Sequence, residues 1–288
     1  MKEDMKKILI LGGTRFLGPA LIRKLLEKGG TSLTCFHRGL HMEDRKNENV
    51  EHVIGDRKNE RDVRELFGTD YDLVIDLSGT EADMIENAMR YARGRCGRYV
   101  FVSSSSVYSP DTENPHREDE LLSSGTGDSY ALAKIRGEEI LRESFDHWTV
   151  IRPSKVYGPG NYYFREETFL NIIRQDPLVI LENDPILHFT YIDDLISGMH
   201  ALLETDGVFN VAGAEPARLS TFITVIGRLH GITPQFAFGE ESSVPFTRLK
   251  DRTLDLSRAE KTAGWSPAVM LEEGLRRTFG ITAPGGLR

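Results

Sequence analysis

Apolar residues in the first half of the chain follow two alternating rhythms. Short apolar runs occupy 8–11, 33–36, 50–54, 73–77, 99–103 and 149–152, rich in β-branched or aromatic residues and bounded by Gly, Asp or Arg. Runs of this length without polar alternation predict strands buried on both faces. Between them, 17–28, 60–67, 81–93 and 129–145 repeat their apolar residues at helical spacing, as Leu17, Leu21 and Leu25 do. Strand and helix in turn predict βαβ units and an α/β fold, a doubly wound parallel sheet of the Rossmann kind with helices on both faces.

After Pro153 the rhythm shortens. Gly158-Pro159-Gly160 marks a turn, and helices are predicted near 193–203 and 219–229. The expected division is a Rossmann domain over 1–153 and a smaller C-terminal α/β substrate lobe over 154–288, with some exchange of elements between them. No repeat, low-complexity tract or long linker separates the two, so a cleft between them is the expected ligand site.

Composition narrows the function classes. The chain has 288 residues, 39% hydrophobic and 28% charged, within the range of one large domain or two fused ones. Its formal net charge of −8 offers no general attraction to nucleic acid or anionic lipid, so neither partner is expected. With only Cys35 and Cys96, the first in a predicted strand and the second in a predicted loop, no disulfide framework or thiolate metal site is expected. The charged start followed by the short run 8–11 predicts no signal sequence or membrane span, and hence a cytoplasmic protein.

The first strand runs into Gly12-Gly13-Thr14-Arg15-Phe16-Leu17-Gly18 and then directly into a helix. A strand, a glycine turn and a helix N-terminus present free N–H groups to a pyrophosphate, so Gly12, Thr14, Arg15, Phe16 and Leu17 are candidate dinucleotide contacts. Arg15 stands where a G-x-x-G-x-x-G spacing would place its middle glycine. The second strand ends in Cys35-Phe36-His37-Arg38-Gly39, without the Asp or Glu that takes the ribose hydroxyls of NAD. Arg15 and Arg38 together are expected to bracket a 2′-phosphate, making NADP the preferred cofactor over NAD. Asp56, with Arg57 beside it, ends the third strand, where a carboxylate either accepts from the adenine amino group or caps the next helix. Leu77, Ser78 and Gly79 follow the fourth strand on the path toward the nicotinamide.

A second constellation lies on the helix opened by Asp128 or Ser129. Tyr130 and Lys134 are four residues apart and share one helix face. A tyrosine with a pKa of about 10 is a poor base at neutral pH, and a nearby ammonium group is expected to lower that value. Upstream, the fifth strand delivers Ser103 to Ser106 at its carboxyl end, the edge at which ligands bind in an open parallel sheet.

These features resemble a known family. The glycine loop, Val102 to Tyr108, the Tyr130/Lys134 pair, Arg152-Pro153-Ser154-Lys155-Val156-Tyr157-Gly158-Pro159-Gly160 and Tyr191-Ile192-Asp193-Asp194-Leu195 are similar to the extended short-chain dehydrogenases/reductases, including NAD(P)-dependent epimerases and dehydratases. Phe209 to Gly213, Asp255 to Ala259 and Gly264 to Pro267 extend the resemblance over almost the whole chain. It implies an oxidoreductase or epimerase with Ser104 as catalytic hydroxyl, Ser105 as its fallback, Tyr130 as acid/base, and Lys134 tuning Tyr130 and holding the nicotinamide ribose. It further implies Ser105, Ser106, Lys155 and Arg248 as substrate contacts, a small sugar-like and possibly nucleotide-linked substrate, and a homodimer through 81–93 and 129–145.

Departures from the family pattern bear on substrate. Ser105 and Ser106 stand where sugar dehydratases carry an Asp-Glu pair, and serine does not replace carboxylates near neutral pH. Leu187, followed by His188, stands where sugar-nucleotide enzymes place an arginine for the diphosphate, and Arg248 and Arg252 lie in a segment that often supplies another phosphate contact. Epimerisation or net reduction therefore remains, the NADP-like loop leaning toward reduction. Two rival expectations of another class are a chloroplast-type stem-loop RNA-binding module and an NADP sensor without turnover. The acidic charge speaks against the first, and the intact Tyr130/Lys134 pair against both.

Overall fold

The computed structural model describes residues 5–27, 29–40, 49–123, 128–163, 165–240, 242 and 244–282. The first six strands are β1 (Lys6–Leu11), β2 (Thr31–His37), β3 (Val50–Ile54), β4 (Tyr71–Asp76), β5 (Cys96–Val102) and β6 (Trp148–Pro153). The helices among them are α1 (Leu17–Leu26), α2 (Glu60–Leu66), α3 (Ala82–Ala92) and α4 (Ser129–Ser144). Each expected run is a strand; in the sheet interior helices on both faces leave no solvated side, so residues 8–11 are all buried, whereas the edge strand β3 is largely exposed. Cys96, expected in a loop, opens β5, where it pairs with Tyr71: tertiary pairing extends the strand through a stretch with no apolar run of its own. The Lys28 end of the first expected helix lies outside the described residues.

The remaining elements are β7 (Lys155–Tyr157), α5 (Arg165–Gln175), β8 (Leu178–Leu181), β9 (Ile186–Tyr191), α6 (Ile192–Leu202), β10 (Gly207–Val211), β11 (Pro216–Arg218), α7 (Leu219–Leu229), β12 (Gln235–Phe238), α8 (Ser257–Ala263) and α9 (Leu271–Thr278). β10 joins the main sheet beside β6, giving the order β10-β6-β5-β4-β1-β2-β3 with every pair parallel. α6 packs beside α1. The division expected at 153/154 is thus crossed by chain that returns to complete the sheet. The smaller part of the molecule is a three-stranded sheet β11-β9-β7 and the pair β12-β8, with α5, α7 and α9 around them. One packed core runs from Ile8 and Leu33 in the large sheet to Phe222 and Leu275 in α7 and α9, so the two parts share an interior.

The chain leaves β1 toward β2 and β3 on one side, and β4 continues toward β10 on the other. That reversal opens a crevice beyond the carboxyl ends of β1 and β4. No helix among the described residues is long and apolar enough to cross a membrane.

Candidate active site

Beyond the strand ends lies a cleft of about 720 Å³, within the range of roughly 300–1,000 Å³ usual for small-molecule sites. Its floor is the glycine loop. Gly12 has φ +92°, donates its N–H to Phe36 O at 3.0 Å, and leaves no room for a Cβ, which would overlap Ser78. A Cβ at Gly18 would likewise overlap the main chain of Gly13, so α1 can approach β1 only with glycine here. Phe16 caps α1 without any side-chain hydrogen bond, so the first N–H groups of the helix are not consumed by a capping side chain. A cradle closed to side chains in front of such a helix start fits a dinucleotide pyrophosphate. Thr14, Arg15, Phe16 and Leu17 line the cleft with Gly12.

Arg38, Asp56, Arg57, Leu77 and Ser78 line the same cleft, but two of the expected cofactor contacts are otherwise engaged. Arg57 is buried and grips Asp76 through two 2.7 Å bonds, also donating to Ser78 Oγ at 2.9 Å and Met84 O at 3.1 Å. Burial alone would raise the Asp76 carboxyl; the Arg57 guanidinium outweighs it and holds Asp76 below the usual carboxylate range. Gly79 is outside the cleft lining: its N–H donates to Asp76 at 3.0 Å, and Ile85 and Phe101 crowd its Cα. Asp76, absent from the sequence reading, is therefore the centre that shapes the turn after β4. Its signal was a carboxylate inside an otherwise apolar strand. Asp56 accepts from Lys58 N–H at 2.9 Å in the turn before α2, but the helix is capped by Asn59, which accepts from Arg61 N–H at 3.0 Å, because Asn59 is the residue directly before the first turn.

At the end of β5, Ser104 caps a short turn over Ser105–Val107, its hydroxyl accepting from Ser106 N–H at 3.1 Å. Ser104, Ser105 and Ser106 all line the cleft. Opposite them Asp128 caps α4, accepting from the N–H groups of Tyr130 at 3.0 Å and Ala131 at 3.2 Å, which aims Tyr130 at the serine turn. The Tyr130 phenol and the Ser104 hydroxyl face the same cleft, near enough for Ser104 to pull the phenol's pKa down. Lys134 is buried one helical turn deeper, donates to Val102 O at 2.6 Å, and lies 5.6 Å from the centre of the Tyr130 ring. Burial pushes the Lys134 ammonium down to about 8, with Asp76 opposing.

The Tyr130 phenol does not stand below its ordinary value here. Burial raises the phenol above its ordinary value, and the strongest downward pull comes from Ser104.

The far end of the cleft belongs to the second part of the chain, through Ser154, Lys155, Tyr162, Tyr163 and Arg165. Arg15 reaches across to it, its guanidinium 3.9 Å from the centre of the Tyr162 ring, and Tyr162 packs on Tyr163 at 4.3 Å. The expected bracket of Arg15 with Arg38 is therefore not assembled: cation–π contact draws Arg15 toward the substrate side, and Arg38 stays exposed at the end of β2. Arg248, an expected substrate contact, lies outside the cleft lining, 77% exposed and held by Glu182 at 2.8 and 2.9 Å. His188 is buried, accepts from Leu254 N–H at 3.0 Å and is pushed down to about 4 by burial, so it does not stand in for the arginine clamp. The Tyr162-Tyr163 pair and Arg165 escaped the sequence reading; an aromatic pair and a cation after the Gly160 turn were the signal. Among the described residues no group of three or more His, Cys, Asp or Glu side chains could hold a metal ion.

The sequence pattern of the NAD dependent epimerase/dehydratase family matches residues 8–212. The chain belongs to this family. Among its relatives, the chloroplast stem-loop binding protein of 41 kDa b of Arabidopsis thaliana is 27% identical, covering 96% of this chain and 79% of that protein. The dTDP-4-dehydro-6-deoxyglucose reductase of Escherichia coli is 25% identical over 93% of this chain and 95% of its own. The fold is shared with the Bordetella bronchiseptica enzyme WbmG in complex with NAD, at a TM-score of 0.83 and 18% identity over 97% and 94% of the two chains. It is shared too with UDP-glucuronic acid 4-epimerase of Bacillus cereus in complex with UDP-glucuronic acid and NAD, at a TM-score of 0.79 and 23% identity over 96% and 98%.

Proposed function

We propose that this epimerase/dehydratase-family chain moves a hydride between a nicotinamide cofactor and a carbinol or ketone of a sugar-like substrate. The observation that carries the reading is that Ser104, Tyr130 and the buried Lys134 line the same cleft as the glycine loop, with Ser104 near enough to act on the Tyr130 phenol. The substrate oxygen accepts from Ser104 and Tyr130. Tyr130 donates a proton to that oxygen in reduction and removes it in oxidation, while Ser104 holds the oxygen in place. Lys134 supports the developing phenolate electrostatically and is the group to hold the adjacent ribose. The dinucleotide, when bound, supplies the hydride donor or acceptor.

Tyr130→Phe is expected to lower turnover at least about 100-fold with nucleotide affinity preserved, because the ring stays and only the proton carrier goes. Nucleotide titration and single-turnover assays on the same preparation check this, and undiminished turnover would refute the role.

Ser105 and Ser106 leave the site without the carboxylates of a dehydratase, which supports epimerisation or net reduction. NADP is the cofactor form this reading favours, since β2 ends at His37 followed by the exposed Arg38, with no carboxylate at that point. With Arg15 held by Tyr162, the preference rests on one charge-assisted contact and is expected to be about tenfold or somewhat more. Separate titrations with NADP⁺ and NAD⁺ test it, and Arg38→Ala should abolish the difference. A stem-loop RNA-binding reading draws on the Arabidopsis relative. It has to work against a net charge of −8, and it predicts RNA affinity with no turnover.

A further inference from the structure

Cations outside the cleft, such as Arg98, Arg248 and Lys250, pair with carboxylates. Two that line its substrate end, and a third beside them against β9, do not. Among the described residues, Lys155, Arg165 and Arg252 have no carboxylate in ion-pair contact, although they stand close enough for both arginines to act on the Lys155 ammonium. Their placement is built into the fold. Lys155 opens β7 and lines the cleft, its ammonium 5.4 Å from the Phe246 ring; Arg165 opens α5, its guanidinium 5.6 Å from the same ring. Phe246 is held at φ +72°, a conformation non-glycine residues rarely adopt, and its ring is shared by the two cations. Arg252 is pinned through its main chain to β9, its N–H donating to Ile186 O at 2.8 Å and its carbonyl accepting from His188 N–H at 3.3 Å.

The charged group opposing this cluster is Asp128, which acts through space on Lys155 and Arg252 while its carboxylate caps α4. Burial, with Arg252 and Arg165 adding repulsion, pushes the Lys155 ammonium down to about 7. Like charges gathered at a partly desolvated site repel unless an anion joins them. Arg165 also acts on the Tyr130 phenol, which puts the cluster next to the reacting atoms.

We propose that Lys155, Arg165 and Arg252 form a cradle for a compact oxyanion, a carboxylate or a phosphate, carried on the substrate close to the carbon that reacts. The substrate is then an acidic sugar or polyol. This rests on the function proposed above for the identity of the reacting carbon, while the cradle itself can be tested without turnover. The probes are inorganic phosphate and acetate, titrated calorimetrically into the full chain against a chloride control of equal ionic strength, without nucleotide. At least one is expected to bind saturably, the stronger one naming the headgroup, and Lys155→Gln or Arg252→Gln should weaken it at least about tenfold. Lys155→Arg should restore binding, and NADP⁺ affinity, measured on every variant, should stay at the unmodified value. Absence of saturable binding by either anion overturns the cradle. So does binding that survives both Gln substitutions, since it would report the glycine loop. Failure of NADP⁺ to bind the unmodified protein would instead strike at the proposed function and leave the anion result standing.

Discussion

The Ser104 hydroxyl does two things at once. It accepts from Ser106 N–H, which fixes its direction, and it acts on the nearby Tyr130 phenol, countering the upward pull of burial on that group. Removing it therefore raises the Tyr130 pKa. In Ser104→Ala, kcat/KM should fall about 10- to 100-fold, the worth of one charge-assisted hydrogen bond. The limb of its pH profile that reports Tyr130 should move to higher pH. Ser104→Thr, which keeps a hydroxyl, should return the limb toward its original position. A pH profile recorded on all three proteins checks this, and an unmoved limb in the alanine variant would assign the tuning elsewhere. The serine itself was legible as the end of an apolar strand. Its nearness to Tyr130 was not, because it depends on how α4 lies across the end of β5.

Elements meet at Glu138, one turn beyond Lys134 on α4 and fully buried. Its carboxylate accepts from Ser103 Oγ at 2.7 Å, from Arg152 at 2.9 and 2.6 Å, and from Arg142 at 2.9 Å. Arg152, also buried, donates to the Tyr108 hydroxyl at 3.0 Å, and Tyr108 donates to Asn210 Oδ1 at 2.7 Å. This network ties α4, β5, β6 and β10 together directly behind the catalytic turn. Glu138→Gln would leave the buried Arg152 charge without its counter-charge, a loss of about 3–5 kcal/mol for a buried pair broken on one side. Urea unfolding followed by circular dichroism should show the midpoint falling with the slope unchanged. A glutamate at helical spacing looks in sequence like part of a solvated face, which is why Glu138 escaped notice while Tyr130 and Lys134 did not.

For the whole molecule, the expected pairing of two copies through 81–93 and 129–145 has a physical basis in α3 and α4. They pack side by side, linked by Arg136 to Glu86 at 3.4 Å, and α4 presents Leu132 at 41% exposure. Light scattering should return twice the 32.4 kDa chain mass, and Leu132→Glu should shift it toward one. A single-chain mass for the unmodified protein at working concentration would exclude the pairing. The two parts of each copy share one core, so the cleft should keep its shape when the pairing is broken, with nucleotide binding unaffected.

Six strands, four helices, the glycine turn and the Tyr130/Lys134 spacing were determined by local pattern, because burial on both faces and helical periodicity leave direct marks on residue order. The return of β10 to the main sheet was decided by tertiary structure, since a five-residue strand far along the chain carries no sign of its partner. So were the capture of Arg57 by Asp76, the turning of Arg15 onto Tyr162 and the pairing of Arg248 with Glu182. Each depends on which group stands nearest in space, and a long cationic side chain takes whichever anion or aromatic face the fold brings within its reach.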